Sequence, residues 1–98
     1  MTIREQTEQI EREAQVQVVN QAGLHARPAA LLVKLAGSFS SAIHVEKEGL
    51  QVNGKSIMGV LMLAAERGST LRFSAAGDDA EEALQALTAL VNRGFEEE

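Results

Sequence analysis

The chain has no cysteine, no tryptophan, no tyrosine and a single proline among its 98 residues. Without cysteine it has no disulfide framework, no thiol nucleophile and no cysteine metal site. His25 and His44, the two histidines, stand too far apart in sequence for a recognised zinc spacing, and no cofactor is implied. No apolar run approaches the roughly 20 residues needed to cross a bilayer. The N-terminus lacks a signal-peptide pattern, so a cytoplasmic location is expected. Aromatic residues are limited to Phe39, Phe73 and Phe95. Together with the lack of a basic stripe, this argues against nucleic-acid binding.

The net charge of −5 is unevenly spread. Residues 1–14 carry four Glu against two Arg, and Glu96, Glu97 and Glu98 close the sequence. Residues 15–95 hold seven basic and seven acidic side chains, so the body is neutral. Acidity belongs to the tails and not to a functional face. The expected organisation is a flexible polar extension over 1–14, one small domain over 15–95 and an acidic tail over 96–98. Ninety-eight residues suffice for a modest core, and nothing demands more than a monomer.

Period-two alternation begins at Gln15, where Val16 and Val18 alternate with Gln15 and Gln17, and predicts a strand. Residues 27–36 read as a helix with Leu32, Leu35 and Ala36 on one side, and Gly37 suits its end. Residues 41–47 alternate again, with Ile43 and Val45 inward and His44 outward as an ordinary exposed histidine. Glu48-Gly49 turns the chain into a short strand over 50–53. A second helix is expected over 56–65 and a strand over 70–75, with Leu71, Phe73 and Ala75 on one face. Asp78 and Asp79 can cap a last helix whose Ala80, Ala83, Leu84, Leu87 and Val91 keep helical spacing. Gly94 suits its end. One-faced strands in the order β-α-β-β-α-β-α imply an α+β open-faced sandwich. In it, a four-stranded, mostly antiparallel sheet carries three helices on one face.

Chemistry concentrates in Gly23-Leu24-His25-Ala26-Arg27-Pro28-Ala29-Ala30. Proline is favoured at the first helical position, where its missing N–H would have had no partner. Pro28 therefore places a helix start here and puts His25 on the loop just before it. Unpaired N–H groups of the first turn and the positive end of the helix dipole then face the imidazole. Such a helix mouth takes a phosphate, and a nucleophilic nitrogen beside it suggests a transient phosphohistidine. The plainer alternative is a surface histidine or makeshift cap, next to an arginine in an ordinary salt bridge.

The second informative segment is Lys55-Ser56-Ile57-Met58-Gly59-Val60-Leu61-Met62-Leu63. A surface helix needs one polar face, yet this stretch is apolar nearly all round. It is either buried on every side or offers a second face to a partner, a use to which flexible methionine is suited. Ser56 is a preferred N-cap, which by itself accounts for its presence.

These two motifs, at this separation, give the chain its resemblance to the histidine-containing phosphocarrier (HPr) family of the bacterial sugar phosphotransferase system. The similarity extends from about Gln15 to Val91. It implies a strand order of 1-4-2-3. It further implies that His25 accepts a phosphoryl group on Nδ1 from phosphorylated enzyme I, charged by phosphoenolpyruvate, and passes it to the IIA domain of a sugar permease. In that resemblance Arg27 pairs with the phosphate, and the backbone amides of Ala26 and Arg27 donate to it. Ser56 matches the site used by an HPr kinase/phosphorylase for regulation, with a transcriptional regulator as a further partner. Leu24, Ile57, Met58 and Leu61 would form the apolar contact surface, and Lys34 and Lys55 would steer acidic partners with Arg27. The chain would then be a relay and not an enzyme. Two alternatives stay open: a regulatory phosphocarrier of the nitrogen-linked branch, and an interaction module that transfers nothing. Gly54 stands where the family commonly has a bulkier residue, which is expected to loosen the approach to the regulatory helix.

Overall fold

The computed structural model describes residues 11–97. Its elements are β1 (Glu11–Gln17), α1 (Ala26–Gly37), β2 (Ala42–Lys47), β3 (Leu50–Asn53), α2 (Ile57–Met62), β4 (Thr70–Ala76), α3 (Ala80–Asn92) and a 3-10 turn (Gly94–Glu96). The strands form one antiparallel sheet in the order β1-β4-β2-β3. This is the expected open-faced sandwich, with the strand order implied by the resemblance.

Alternation sets the register. Central strand β4 pairs Leu71 with Val16 on one side, and Phe73 with Val45 and Ala75 with Ile43 on the other. These six side chains share the face turned to the helices, and all are buried. A one-residue slip would turn the whole set to solvent, which is why the pairing is unique. Ala29, Leu32 and Ala36 of α1 and Ala83, Leu87 and Val91 of α3 complete the core. Each large aliphatic or aromatic side chain buried there contributes about 1.5–3 kcal/mol. On the open face Arg72 stands between Glu46 and Glu13, a row of paired charges suited to a solvated surface.

Several expected boundaries move. β1 begins at Glu11 and not at Gln15, so residues 11–14 are sheet and not extension; they pair with residues 73–76 of β4. Only Ala14 among them has an apolar, partly buried side chain, so the alternation that marks a strand is missing while the partner edge is present. The rest of the expected extension, residues 1–10, lies outside the described residues, as does Glu98. At the other end the expected acidic tail is partly folded: Glu96 belongs to the 3-10 turn, next to buried Phe95, and Glu97 turns back onto the body of the domain. Helix α2 is shorter than expected, because Ala64 enters the left-handed region at φ 50° and ends it.

Asp79 occupies the N-cap position of α3, but its side chain makes no cap. It accepts instead from the Ser41 hydroxyl, the Ser40 N–H at 2.9 Å and the Ser41 N–H at 3.0 Å. The Ser41 hydroxyl first, and the Ser40 amide after it, lower the carboxyl from 3.8 to about 2. The start of α3 is thereby tied to the connection between α1 and β2. No described helix is long and apolar enough to cross a membrane.

Candidate functional site

The octet folds as a rivet followed by a helix mouth. Gly23 has φ +72°, and a Cβ there would lie 2.6 Å from the Ala65 carbonyl oxygen. Glycine is needed both for the left-handed turn and for this close approach. The next residue, Leu24, donates its N–H to the same oxygen at 2.8 Å, and its side chain is only 3% exposed. Leu24 is therefore not part of a contact surface. It anchors the loop to the stretch following α2, so that the residue after it is held at the protein surface.

That residue is His25, the N-cap of α1, with extended backbone and its carbonyl accepting from the Ala29 N–H at 2.9 Å. The imidazole makes no hydrogen bond to the helix and is 44% exposed. The makeshift-cap alternative is thus not the arrangement found. Among the described residues, none accepts from the N–H groups of Ala26 or Arg27, and the Arg27 side chain is exposed without an ion-pair partner. Pro28 is the third helical residue and not the first. The physical reason carries over: N–H groups throughout the first turn lack helical partners, so proline costs nothing at any of its positions. Placing it third leaves the two amides nearest His25 free.

Among the described residues the imidazole has a partner that sequence reasoning missed. Its Nε2 lies 3.1 Å from Oε2 and 3.3 Å from Oε1 of Glu97. Asn20, itself buried, holds this carboxylate: its Nδ2 donates to Glu97 Oε1 at 3.1 Å and to the Gly23 carbonyl at 2.8 Å. The only sequence signal was indirect, an aromatic Phe95 inside an otherwise polar terminus.

Helix α2 divides its residues between core and surface. Val60 is buried, as is Leu63 just beyond the helix. Ile57 and Leu61 are exposed, and Met58 and Met62 are exposed at 69% and 66%. The expected docking residues Ile57, Met58 and Leu61 thus lie at the surface as an apolar patch, and Met62 extends it. Lys34 is exposed in the last turn of α1, beside a groove lined by Leu31, Leu35, Leu90 and Arg93. Lys55 differs from expectation: it is half-buried and its Nζ donates to the Phe39 carbonyl at 2.8 Å. Its charge is committed inside the molecule and is not free to steer a partner.

Ser56 caps α2, its Oγ accepting from the Gly59 N–H at 3.1 Å. Gly54 does not loosen the approach to this helix. A Cβ there would lie 2.8 Å from Ile43 Cγ2, and its N–H donates to the Ile43 carbonyl at 2.8 Å. The absence of a side chain is what lets the chain pack this tightly.

A family model described as "PTS HPr component phosphorylation site" matches residues 12–93. Phosphocarrier protein HPr of Cupriavidus necator is 49% identical over 80 residues, which is 82% of this chain and 90% of that protein. The crystal structure of HPr from Thermoanaerobacter tengcongensis superposes with a TM-score of 0.85 at 49% identity, covering 89% of this chain and 98% of that one. The structure of Crh from Bacillus subtilis, described as a catabolite repression protein and a domain-swapped dimer, gives 0.69 at 46% identity, covering 81% and 91%.

Proposed function

This chain belongs to the HPr phosphocarrier family of the phosphotransferase system, and on that premise we propose that His25 is its phosphoryl acceptor. The group arrives from phosphorylated enzyme I, rests on Nδ1, and leaves for the IIA domain of a sugar permease. The observation that carries this reading is an exposed imidazole at the mouth of α1, with the Ala26 and Arg27 amides beside it unpaired among the described residues. With Nε2 turned to Glu97, Nδ1 is the ring nitrogen without a partner among the described residues. Arg27 supplies a cation on a flexible stem, able to follow the phosphate without enclosing it.

Affinity at such a site has to be modest. Interaction of a charge with an exposed helix terminus is worth about 0.3–1 kcal/mol, enough to orient a phosphoryl group and too little to trap it. The chain supplies an acceptor and part of a composite site, and its partners supply the rest. It acts as a carrier in the cytoplasm and not as an independent enzyme. The Ile57, Met58, Leu61 and Met62 face gives those partners an apolar footing, and exposed Lys34 and Arg27 supply positive charge. Ser56 is the site for regulatory phosphorylation by an HPr kinase/phosphorylase, and the modified form is the one that engages a transcriptional regulator. A phosphate on a residue that already caps a helix adds about −1.5 to −2 charges where negative charge is tolerated, so it changes the surface and spares the fold.

The test is incubation with enzyme I and radiolabelled phosphoenolpyruvate, comparing wild type with His25→Ala. Label that is acid-labile and base-stable, and confined to the wild type, supports the relay. Label in neither protein points to an interaction module. Label from enzyme I that is refused by permease IIA domains and taken by nitrogen-branch IIA proteins points to the regulatory branch. The protein is proposed to work as a monomer, with β1 paired in its own sheet. Light scattering at twice the 10.5 kDa chain mass would overturn that part.

A further inference from the structure

Two features near His25 have no part in the phosphate pocket itself. The first is the path of the chain beyond α3. Gly94, Phe95 and Glu96 follow one another in the left-handed region at φ 70°, 56° and 64°. For the last two this is a conformation that L side chains disfavour. It persists because Phe95 is an anchor, 1% exposed in the core. The second is Asn20. Both hydrogens of its amide are used, one on the Gly23 carbonyl and one on Glu97, while its buried Oδ1 has no partner among the described residues. An orphaned buried acceptor is unfavourable. A disfavoured backbone and an orphaned acceptor thus serve one result: the Glu97 carboxylate is set against Nε2 of His25, 72 residues away in sequence.

We propose that Glu97 is a positioning residue for phosphoryl transfer, holding His25 in the tautomer with its hydrogen on Nε2 and the lone pair on Nδ1. A carboxylate has no hydrogen to give, so in this contact the imidazole donates. In a neutral ring the other nitrogen is then bare. The inference rests on the phosphocarrier reading and adds to it the group that selects the nucleophile.

The transfer balances without a proton leaving His25. The Nδ1 lone pair forms the new N–P bond as the donor's N–P bond breaks, and that bond's electron pair returns to the donor nitrogen. The His25 ring becomes formally cationic, keeping its hydrogen on Nε2, where the carboxylate stabilises it. On the onward step the N–P electron pair returns to Nδ1, leaving a neutral imidazole as a good leaving group. Glu97 keeps the hydrogen on Nε2 through both steps, so that Nδ1 is free to take the group and to release it. Arg27 is the neighbouring cation, exposed and without an ion-pair partner among the described residues.

The experiment uses the full chain, with imidazole 15N resonances recorded where the ring is neutral. Wild type should show a bare Nδ1 and a protonated Nε2, with the Nε2–H signal protected from exchange with water. Glu97→Ala should lose that protection and drift towards the tautomer mixture of free imidazole. Glu97→Gln retains an acceptor oxygen and should restore the wild-type pattern. Transfer from enzyme I should slow by about two- to fivefold in Glu97→Ala, the scale of a partly exposed ion pair, in kcat with KM unchanged. An alanine variant with wild-type 15N signals, or with undiminished transfer, overturns the proposal. A wild type that takes no label while its tautomer depends on Glu97 overturns the phosphocarrier reading instead, so the two failures are told apart.

Discussion

The Ala65 carbonyl oxygen occupies the place that a side chain on Gly23 would need, 2.6 Å from where its Cβ would stand. The same oxygen receives the Leu24 N–H at 2.8 Å. One carbonyl beyond α2 therefore fixes the two residues that lead into His25, and the proposed phosphate site depends on a contact made about 40 residues further along the chain.

Gly23→Ala should accordingly be costly in two ways. Forcing alanine into the left-handed region costs about 1–2 kcal/mol by itself, and the clash with Ala65 adds to it. The denaturant midpoint should fall, and label uptake at His25 should fall further than the lost stability explains, because the loop has to shift.

Asp79 makes stability sensitive to acid. Its carboxyl, held down to about 2 from 3.8 by the Ser41 hydroxyl and the Ser40 amide, stabilises the fold fully above its ordinary value. That stabilisation is lost as the pH falls from about 4 through the folded value near 2. The thermal midpoint of the wild type should drop across this window. In Asp79→Asn the midpoint should begin lower at neutral pH and depend less on pH there, measured by circular dichroism melts.

Ser56→Ala removes the acceptor for the Gly59 N–H and should cost about 1 kcal/mol, typical of a lost N-cap. Ser56→Asp keeps an acceptor at the cap and should recover most of that loss while weakening transfer from enzyme I. Urea unfolding and transfer rates, measured on the same preparations, separate the two effects.

Met58 lies on the apolar face of α2 and touches little of the core. Met58→Asp should leave the thermal midpoint nearly unchanged, with a stability change within about 0.5 kcal/mol. Transfer should nevertheless fall about tenfold, as for a residue central to a small interface. Undiminished transfer would place the docking surface elsewhere.

Local chemistry was readable in the order of the residues. The mouth of α1 was legible because glycine, histidine, arginine and proline lie within one octet, and each acts on its immediate neighbours. The buried faces of β2 and β4 were legible because alternation assigns a side chain to a face whatever the partner strand. Ser56 as a cap was legible for the same reason: its bond to Gly59 spans three residues.

What the order of residues left open involves groups brought together from far apart. Alternation names a strand's face but not its neighbour, so the β1-β4-β2-β3 order came from family likeness and was settled by packing. Residues 11–14 lack an apolar stripe and become a strand because β4 presents an edge to them. Lys55 looked like a free cation and is bound to Phe39 across the fold. Leu24 looked like surface and is core. Most telling is Glu97, which by composition belongs to an acidic tail; only the burial of Phe95 and the amide of Asn20 bring its carboxylate to His25. The chain's own text thus set the fold class and the histidine at its helix mouth, since those depend on short-range periodicity and capping. Which hydrogen that histidine keeps is a tertiary matter, because the group that accepts it arrives from the opposite end of the sequence.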